Sequence, residues 1–297
     1  MLSLDDLHKL ADTYSDLLGL KVHEFKIGKR LFSFNSRPHL MGVINLSPDS
    51  WYRESVCLHT DQAVERGQRL VAEGADIVDI GAESTILHAN RVDRSKQIKQ
   101  LLPIIRGLSQ KGVLVSIETY HPSIVRACLE AGASVINLTG TIKTTDIFRT
   151  IAEHHAAVIL CYVEGKNARA VKNFSLEEDM IPRMETYFSK KIEEAVHLGV
   201  RRIILDPGLG FYYHNLQDSA TRIRHQIQTF LNTFRLRKLG WPICHALPHA
   251  FEYFADEVRS AEPFFAVLAL LGKTDLLRTH EVAKVRAVCR TLNVWET

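Results

Sequence analysis

The stretch Asp76-Ile77-Val78-Asp79-Ile80-Gly81-Ala82-Glu83-Ser84-Thr85 decides the fold. Its first half is largely apolar rather than alternating, the pattern of a strand buried on both faces. It then breaks at Gly81 into a polar tail. Helical spacing precedes it over Asp61–Glu73 and returns over Ser95–Gln110. The run Val158–Val163 repeats the continuous apolar character. A buried strand flanked by two helices is the unit of a parallel sheet.

Working outward, the unit recurs eight times. Strands are predicted at Leu40–Leu46, Asp76–Gly81, Val113–Glu118, Ser134–Leu138, Ala157–Val163, Arg202–Leu205, Trp241–His245 and Thr274–Arg278. The helices between them are predicted at Asp61–Glu73, Ser95–Gln110, Pro122–Ala131, Thr145–His154, Leu176–Leu198, Leu216–Leu239 and Ala250–Leu271, and Glu281–Leu292 closes the chain. Eight βα units at this length match an α/β (β/α)8 TIM barrel. An open doubly wound sheet is the alternative, but no GxGxxG follows the first strand.

The first 37 residues lie outside the alternation. Leu4–Leu18 reads as an amphipathic helix, and Val22–Phe25 with Leu31–Phe34 reads as a hairpin turning at Gly28. The expected division is an N-terminal cap over 1–37 and a barrel over 38–297. Among 297 residues, 46% are apolar and 24% charged, which excludes a disordered, collagen-like or coiled-coil chain. A formal charge of +3 is too mild for a nucleic-acid binder. Five Cys, an odd number without CxxC spacing, read as reduced thiols. No stretch reads as a signal peptide or a membrane helix, so a cytoplasmic protein is expected.

A TIM barrel builds its site where the strands end. Here the ends carry Asn45, Asp79 with Glu83, Glu118, Asn137, Asp206-Pro207-Gly208-Leu209-Gly210, His245 with His249, and Arg278 with His280. Singly, such residues cap helices or make turns. Convergence of so many on one end suggests a polar small-molecule site. Asp206 and Asn137 suit a flat heterocycle with an amino-amide edge. Arg278 and His280 suit a phosphate or pyrophosphate, and Asn45 a hydrated Mg²⁺ upon it. His245 and His249 stand four apart, a metal-ligand spacing on a helix, but the intervening Pro248 argues against a helix. His154, His155 and His225 read as helix-surface residues.

Six motifs then resemble, in order, those of the dihydropteroate synthase family. They are Met41-Gly42-Val43-Ile44-Asn45-Leu46-Ser47-Pro48-Asp49-Ser50, the Glu73–Thr85 stretch, Ser116-Ile117-Glu118-Thr119-Tyr120, Ala131-Gly132-Ala133-Ser134-Val135-Ile136-Asn137, Leu205-Asp206-Pro207-Gly208-Leu209-Gly210-Phe211 and Leu277-Arg278-Thr279-His280-Glu281-Val282. The resemblance spans about residues 38 to 292. It implies a pterin-binding barrel that joins 6-hydroxymethyl-7,8-dihydropterin pyrophosphate to 4-aminobenzoate, and a homodimer. Carried over by position, Asp206, Glu118 and Asn137 would be catalytic. Asp79, Asn137, Asp206, Thr85, Arg278, His280 and Phe211 would bind substrate, and Asn45 would bind Mg²⁺.

The chain also departs from the pattern. Ile86-Leu87 replaces the Arg-Pro of ESTRP, and Glu118 replaces an Asp. The seventh-strand SRK motif is absent, with His249 where its Lys would stand. The loops Trp51–Ser55 and Cys161–Asn167 differ as well. Candidate replacements for the lost cations are Arg53, His88, Arg91, His245 and His249. The readings weighed are an active synthase, a pterin-binding paralogue with lost or altered synthesis, a corrinoid-dependent methyltransferase on the same barrel, and a bare scaffold. The first motif and Arg278-Thr279-His280 favour the synthases over the methyltransferases.

Overall fold

A computed structural model describes residues 1–47, 55–57, 59–83, 92–170, 174, 176–211 and 218–296. Helix α1, Leu4–Thr13, starts at a capping box in which Asp6 N donates to Ser3 Oγ and Ser3 N donates to Asp6 Oδ2. The predicted helix to Leu18 ends sooner, and a 3-10 turn covers Ser15–Leu17. Strands β1, Phe25–Ile27, and β2, Arg30–Phe32, form the expected hairpin, shifted inward so that Phe25 pairs with Phe32. Gly28 takes the left-handed conformation of the turn (φ 57°).

The barrel strands follow: β3 His39–Asn45, β4 Ile77–Gly81, β5 Val115–Thr119, β6 Val135–Leu138, β7 Ala157–Cys161, β8 Ile203–Asp206, β9 Cys244–Ala246 and β10 Leu276–Thr279. All are parallel, in the order β8-β7-β6-β5-β4-β3-β10-β9. The ring closes where Leu205 bridges Ile243 and Leu205 N donates to Pro242 O at 2.9 Å. The outer helices are α2 Thr60–Glu73, α3 Arg94–Ser109, α4 Pro122–Glu130, α5 Thr144–Glu153, α6 Ile181–His197, α7 Ser219–Asn232, α8 Phe251–Phe254, α9 Ala261–Leu271 and α10 Val282–Asn293.

Three predicted helices change shape. The one expected from Leu176 starts at Ile181, with Pro182 in its first turn. Proline is tolerated there and costs about 3 kcal/mol in a helix interior, so it marks the start. The one expected to run to Leu239 turns to 3-10 at Thr233, whose hydroxyl donates to Thr229 O. The long one from Ala250 breaks at Ala255, which takes φ 44°, so α8 and α9 are separate.

Strand period two divides each barrel strand. Met41, Ile44, Ile80 and Ile117 are fully buried hydrophobics of the core. On β4, β5, β6 and β10 the alternate positions Asp79, Ser116 and Glu118, Asn137, and Arg278 share the interior, as their mutual bonds require, and Asp206 on β8 lines the same cavity as Glu118, Asn137 and Arg278. At the opposite end, Asp76 accepts from Leu40 N (3.0 Å) and His39 Nδ1 (3.1 Å) and pairs with Arg30. Burial opposes the Asp76 charge, but these donors outweigh it and hold the carboxyl below its ordinary range. Arg202 Nε donates to Lys26 O at 2.6 Å, and Arg237 reaches Leu20 O, Asn35 Oδ1 and Asp275. These bonds dock the N-terminal segment on the end of the barrel away from the polar strand ends. Among the described residues no helix is long and apolar enough to cross a membrane.

Candidate functional site

The site rests on one guanidinium between two carboxylates. Arg278, at the end of β10, donates from Nε to Asp79 Oδ2 at 2.7 Å and from Nη2 to Glu118 Oε2 at 2.9 Å. Asp79 is fully buried on β4 and accepts also from Ser116 Oγ (2.6 Å) and Asn137 Nδ2 (3.2 Å). Asn137 in turn accepts from Cys161 Sγ at 3.3 Å. Every side chain in this chain of contacts comes from the interior face of a strand, so the barrel's pleat sets their heights.

Beside the network lies a cavity of about 40 Å³. Glu118, Asn137, Thr139, Asp206, Phe211 and Arg278 line it. Asp206 ends β8 and accepts from Gly208 N at 2.7 Å. Gly208 has φ 78°, and a Cβ there would stand 2.3 Å from Tyr162 O. Only glycine allows this turn, which brings backbone against the cavity wall.

The electrostatics follow from burial. Desolvation raises the Glu118 carboxyl to about 7; Arg278 opposes the rise, while Asp79 and Asp206 add to it. Burial likewise raises Asp206 to about 6, against the Gly208 amide and Arg278. For Arg278, burial disfavours the charge, but Asp79 and Glu118 more than restore it, and it stays cationic.

A second group borders the first. Gly81 stands between Glu118 and Asn45: a Cβ on it would meet Glu118 Oε2 at 3.7 Å and Asn45 Oδ1 at 3.8 Å. Asn45 Nδ2 donates to Ser55 Oγ at 2.6 Å and lies 3.5 Å from His280 Nε2. His280 Nδ1 donates to Glu262 Oε1 at 2.7 Å, and His249 Nε2 stands 3.1 Å from the same oxygen.

The structure thus brings together Glu118, Asn137, Asp206, Phe211 and Arg278 around one cavity, with Asp79 buried against Asn137 and Arg278, and Asn45 and His280 adjoining. Thr85, Arg53, His88 and Arg91 lie outside the described residues. His245 does not join His249. It is fully buried, with Nε2 2.7 Å from Thr233 Oγ1 and its ring against Phe230, facing the helices instead of the mouth. Period two explains this, because His245 and the inward Cys244 and Ala246 alternate along β9. His225 is buried on α7 against Phe174, and burial lowers it to about 4, so it is not a surface residue. Sequence reading missed Thr139 and Glu262. Glu262 stands just before the apolar run of α9, and a charge opening so apolar a helix is the signal that was available.

A (β/α)8 barrel that gathers carboxylates, an amide and one guanidinium around a small cavity at its strand ends is a binding site for a polar small molecule. A family model described as "Pterin binding enzyme" matches residues 41–247. The chain belongs to that family, as a dihydropteroate synthase-like transferase. It is 28% identical to the dihydropteroate synthase of Synechocystis sp., over 97% of this chain and 98% of that one. It is 31% identical to the Clostridium beijerinckii enzyme, over 73% of this chain and 77% of that one. In fold it matches the Xanthomonas albilineans dihydropteroate synthase solved with 4-aminobenzoic acid, with a TM-score of 0.77 at 24% identity, covering 93% of this chain and 99% of that one.

Proposed function

We propose that this chain binds a reduced pterin in the cavity beside Arg278 and transfers its methylene carbon to the amine of 4-aminobenzoate. One observation carries the reading: the carboxylate of Asp206 and the amide of Asn137, itself held by Asp79, line the cavity at the barrel mouth, where a heterocycle with an amino-amide edge finds its acceptors. Ionised Asp206 accepts from the ring's amino and ring N–H groups. Asn137 and Asp79 complete the polar floor, and Phe211 covers a ring face. As the amine attacks, a C–N bond forms and the C–O bond to pyrophosphate breaks. Glu118, with a carboxyl near neutrality, is placed to receive the proton the amine sheds.

The Asn45 amide fits a hydrated Mg²⁺, because Ser55 engages its nitrogen and leaves the oxygen as the ligand atom. Bound there, the ion would neutralise the leaving pyrophosphate. His280, with Thr85 and Arg278, belongs to the same anion subsite. The proposal extends to a cytoplasmic homodimer with a cap over 1–37 and a barrel over 38–297.

A second reading has its own support. Arg278 is held by two carboxylates, and His249 stands against Glu262 in place of the family's lysine. Both features favour a pterin-binding paralogue with lost or altered synthesis. Calorimetry with 6-hydroxymethyl-7,8-dihydropterin, run beside a turnover assay with its pyrophosphate, 4-aminobenzoate and Mg²⁺, separates the two. Binding with dihydropteroate formation supports the synthase. Binding alone supports the paralogue, and no binding rejects both.

The pH dependence is a further expected result. Only the ionised Asp206 offers two acceptors, and burial has raised its carboxyl to about 6. Pterin affinity should therefore fall roughly tenfold per pH unit below 6 and level off above it. A profile flat between about pH 4.5 and 8 would remove Asp206 from the ring-binding role.

A further inference from the structure

We infer that His249, Glu262 and His280 form a site for a divalent transition-metal ion of the Zn²⁺ type, distinct from the Mg²⁺ subsite at Asn45. The three come from separate elements: the segment after β9, the first turn of α9 and the end of β10. One ligand atom from each lies within 4.8 Å of those of the other two.

The two oxygens of Glu262 have different tasks. Oε2 accepts from Thr279 Oγ1, from His280 N at 2.8 Å and from Glu281 N at 3.2 Å. Those donors lock the carboxylate in place. Oε1 is turned to the two imidazoles, 2.7 Å from His280 and 3.1 Å from His249. A carboxylate with one oxygen anchored and the other aimed at two imidazole nitrogens is how a metal ligand with outer-shell support is built.

The rest of the geometry agrees. Glu262 is fully buried, and His280 and His249 are only 12% and 15% exposed. His249 stacks on Phe251 at 5.2 Å, which holds its ring plane. Bonds of about 2.0–2.1 Å in tetrahedral geometry set ligand atoms about 3.3 Å apart. The His280 and His249 nitrogens would withdraw from Oε1, from 2.7 and 3.1 Å to about 3.3 Å. Two imidazoles and one carboxylate suit Zn²⁺, Co²⁺ or Fe²⁺, whereas Mg²⁺ and Ca²⁺ take all-oxygen shells. The ion would lie one imidazole ring from Asn45, returning positive charge to the rim where the SRK cations are missing.

The same contacts also describe an ion-free hydrogen-bonded cluster, and added metal separates the two. Chelator-treated full-length chain is titrated with Zn²⁺ alone against a chromophoric competitor, and with Co²⁺ alone by visible absorption. One equivalent of Zn²⁺ should bind, and Co²⁺ should show the d–d bands of a nitrogen- and oxygen-ligated site. Glu262→Gln and His249→Ala should each weaken Zn²⁺ at least about 100-fold, beyond the loss usual for an outer-shell partner. Asn45→Ala should leave Zn²⁺ affinity unchanged. If Glu262→Gln fails to fold by circular dichroism, His249→Ala decides, since that ring is partly exposed. A wild-type chain taking up no stoichiometric Zn²⁺, a His249→Ala variant retaining full affinity, or an affinity that follows Asn45 would each overturn the assignment.

Discussion

Replacing Asp206 by alanine should weaken pterin binding by about 3 kcal/mol, roughly a hundredfold or more in Kd. The magnitude rests on two charge-assisted hydrogen bonds lost in a buried wall. The side chain is 4% exposed, so little water can take its place. The ring's two donors would then be desolvated with no acceptor, and that penalty exceeds the net worth of a satisfied bond. Asp206→Asn should be nearly as harmful, because its amide nitrogen faces the ring with a donor. It should also abolish the fall in affinity below pH 6, since the carboxyl that titrates near 6 is gone. Calorimetry on both variants measures these effects. A Kd within threefold of wild type for Asp206→Ala, at about pH 7.5, would place the ring elsewhere.

Arg278→Leu should cost the folded state about 3–5 kcal/mol, the usual loss when one member of a buried ion pair is removed. Asp79 is fully buried and would lose its 2.7 Å partner. Glu118 would lose the cation that opposes its rise. The loss should depend on pH with a definite sign. A carboxyl raised above its unfolded value adds stability that is complete below the unfolded value and disappears as pH climbs through the folded one. In wild type, Glu118 therefore contributes at acid pH and loses that contribution by about pH 7. Without Arg278 the Glu118 carboxyl should rise further, so the variant's deficit should be small near pH 5 and large near pH 8. Urea titrations at the two values provide the comparison. Asp79→Asn in the Arg278→Leu background should recover part of the loss, because the orphaned charge is gone. A deficit that did not change with pH would show that Arg278 does not hold the Glu118 carboxyl down.

The alternation of buried runs and amphipathic helices was legible because strand and helix periods are local properties of the chain. That Asp79, Glu118, Asn137, Asp206 and Arg278 would crowd one end was legible too, since each closes a strand and a barrel exposes all its strand ends together. What remained hidden were the partners. Arg278 and Asp79 are 199 residues apart, and only closure of the ring brings them to hydrogen-bond distance. The sequence assigned Arg278 to an anion; the structure shows it held by two carboxylates. His245 and His249 looked alike in sequence, and the pleat of β9 turned the first toward the helices. Glu262 sat among packing residues of α9 and carried no motif.

The chain's own pattern determined a (β/α)8 barrel and the end at which its polar strand-end residues gather, because periodicity and strand-end chemistry are written residue by residue. The tertiary structure alone decided which charges meet: Arg278 between Asp79 and Glu118, and Glu262 between two imidazoles. Those pairings depend on the curvature that closes the sheet, and residues far apart in sequence become neighbours only after it closes.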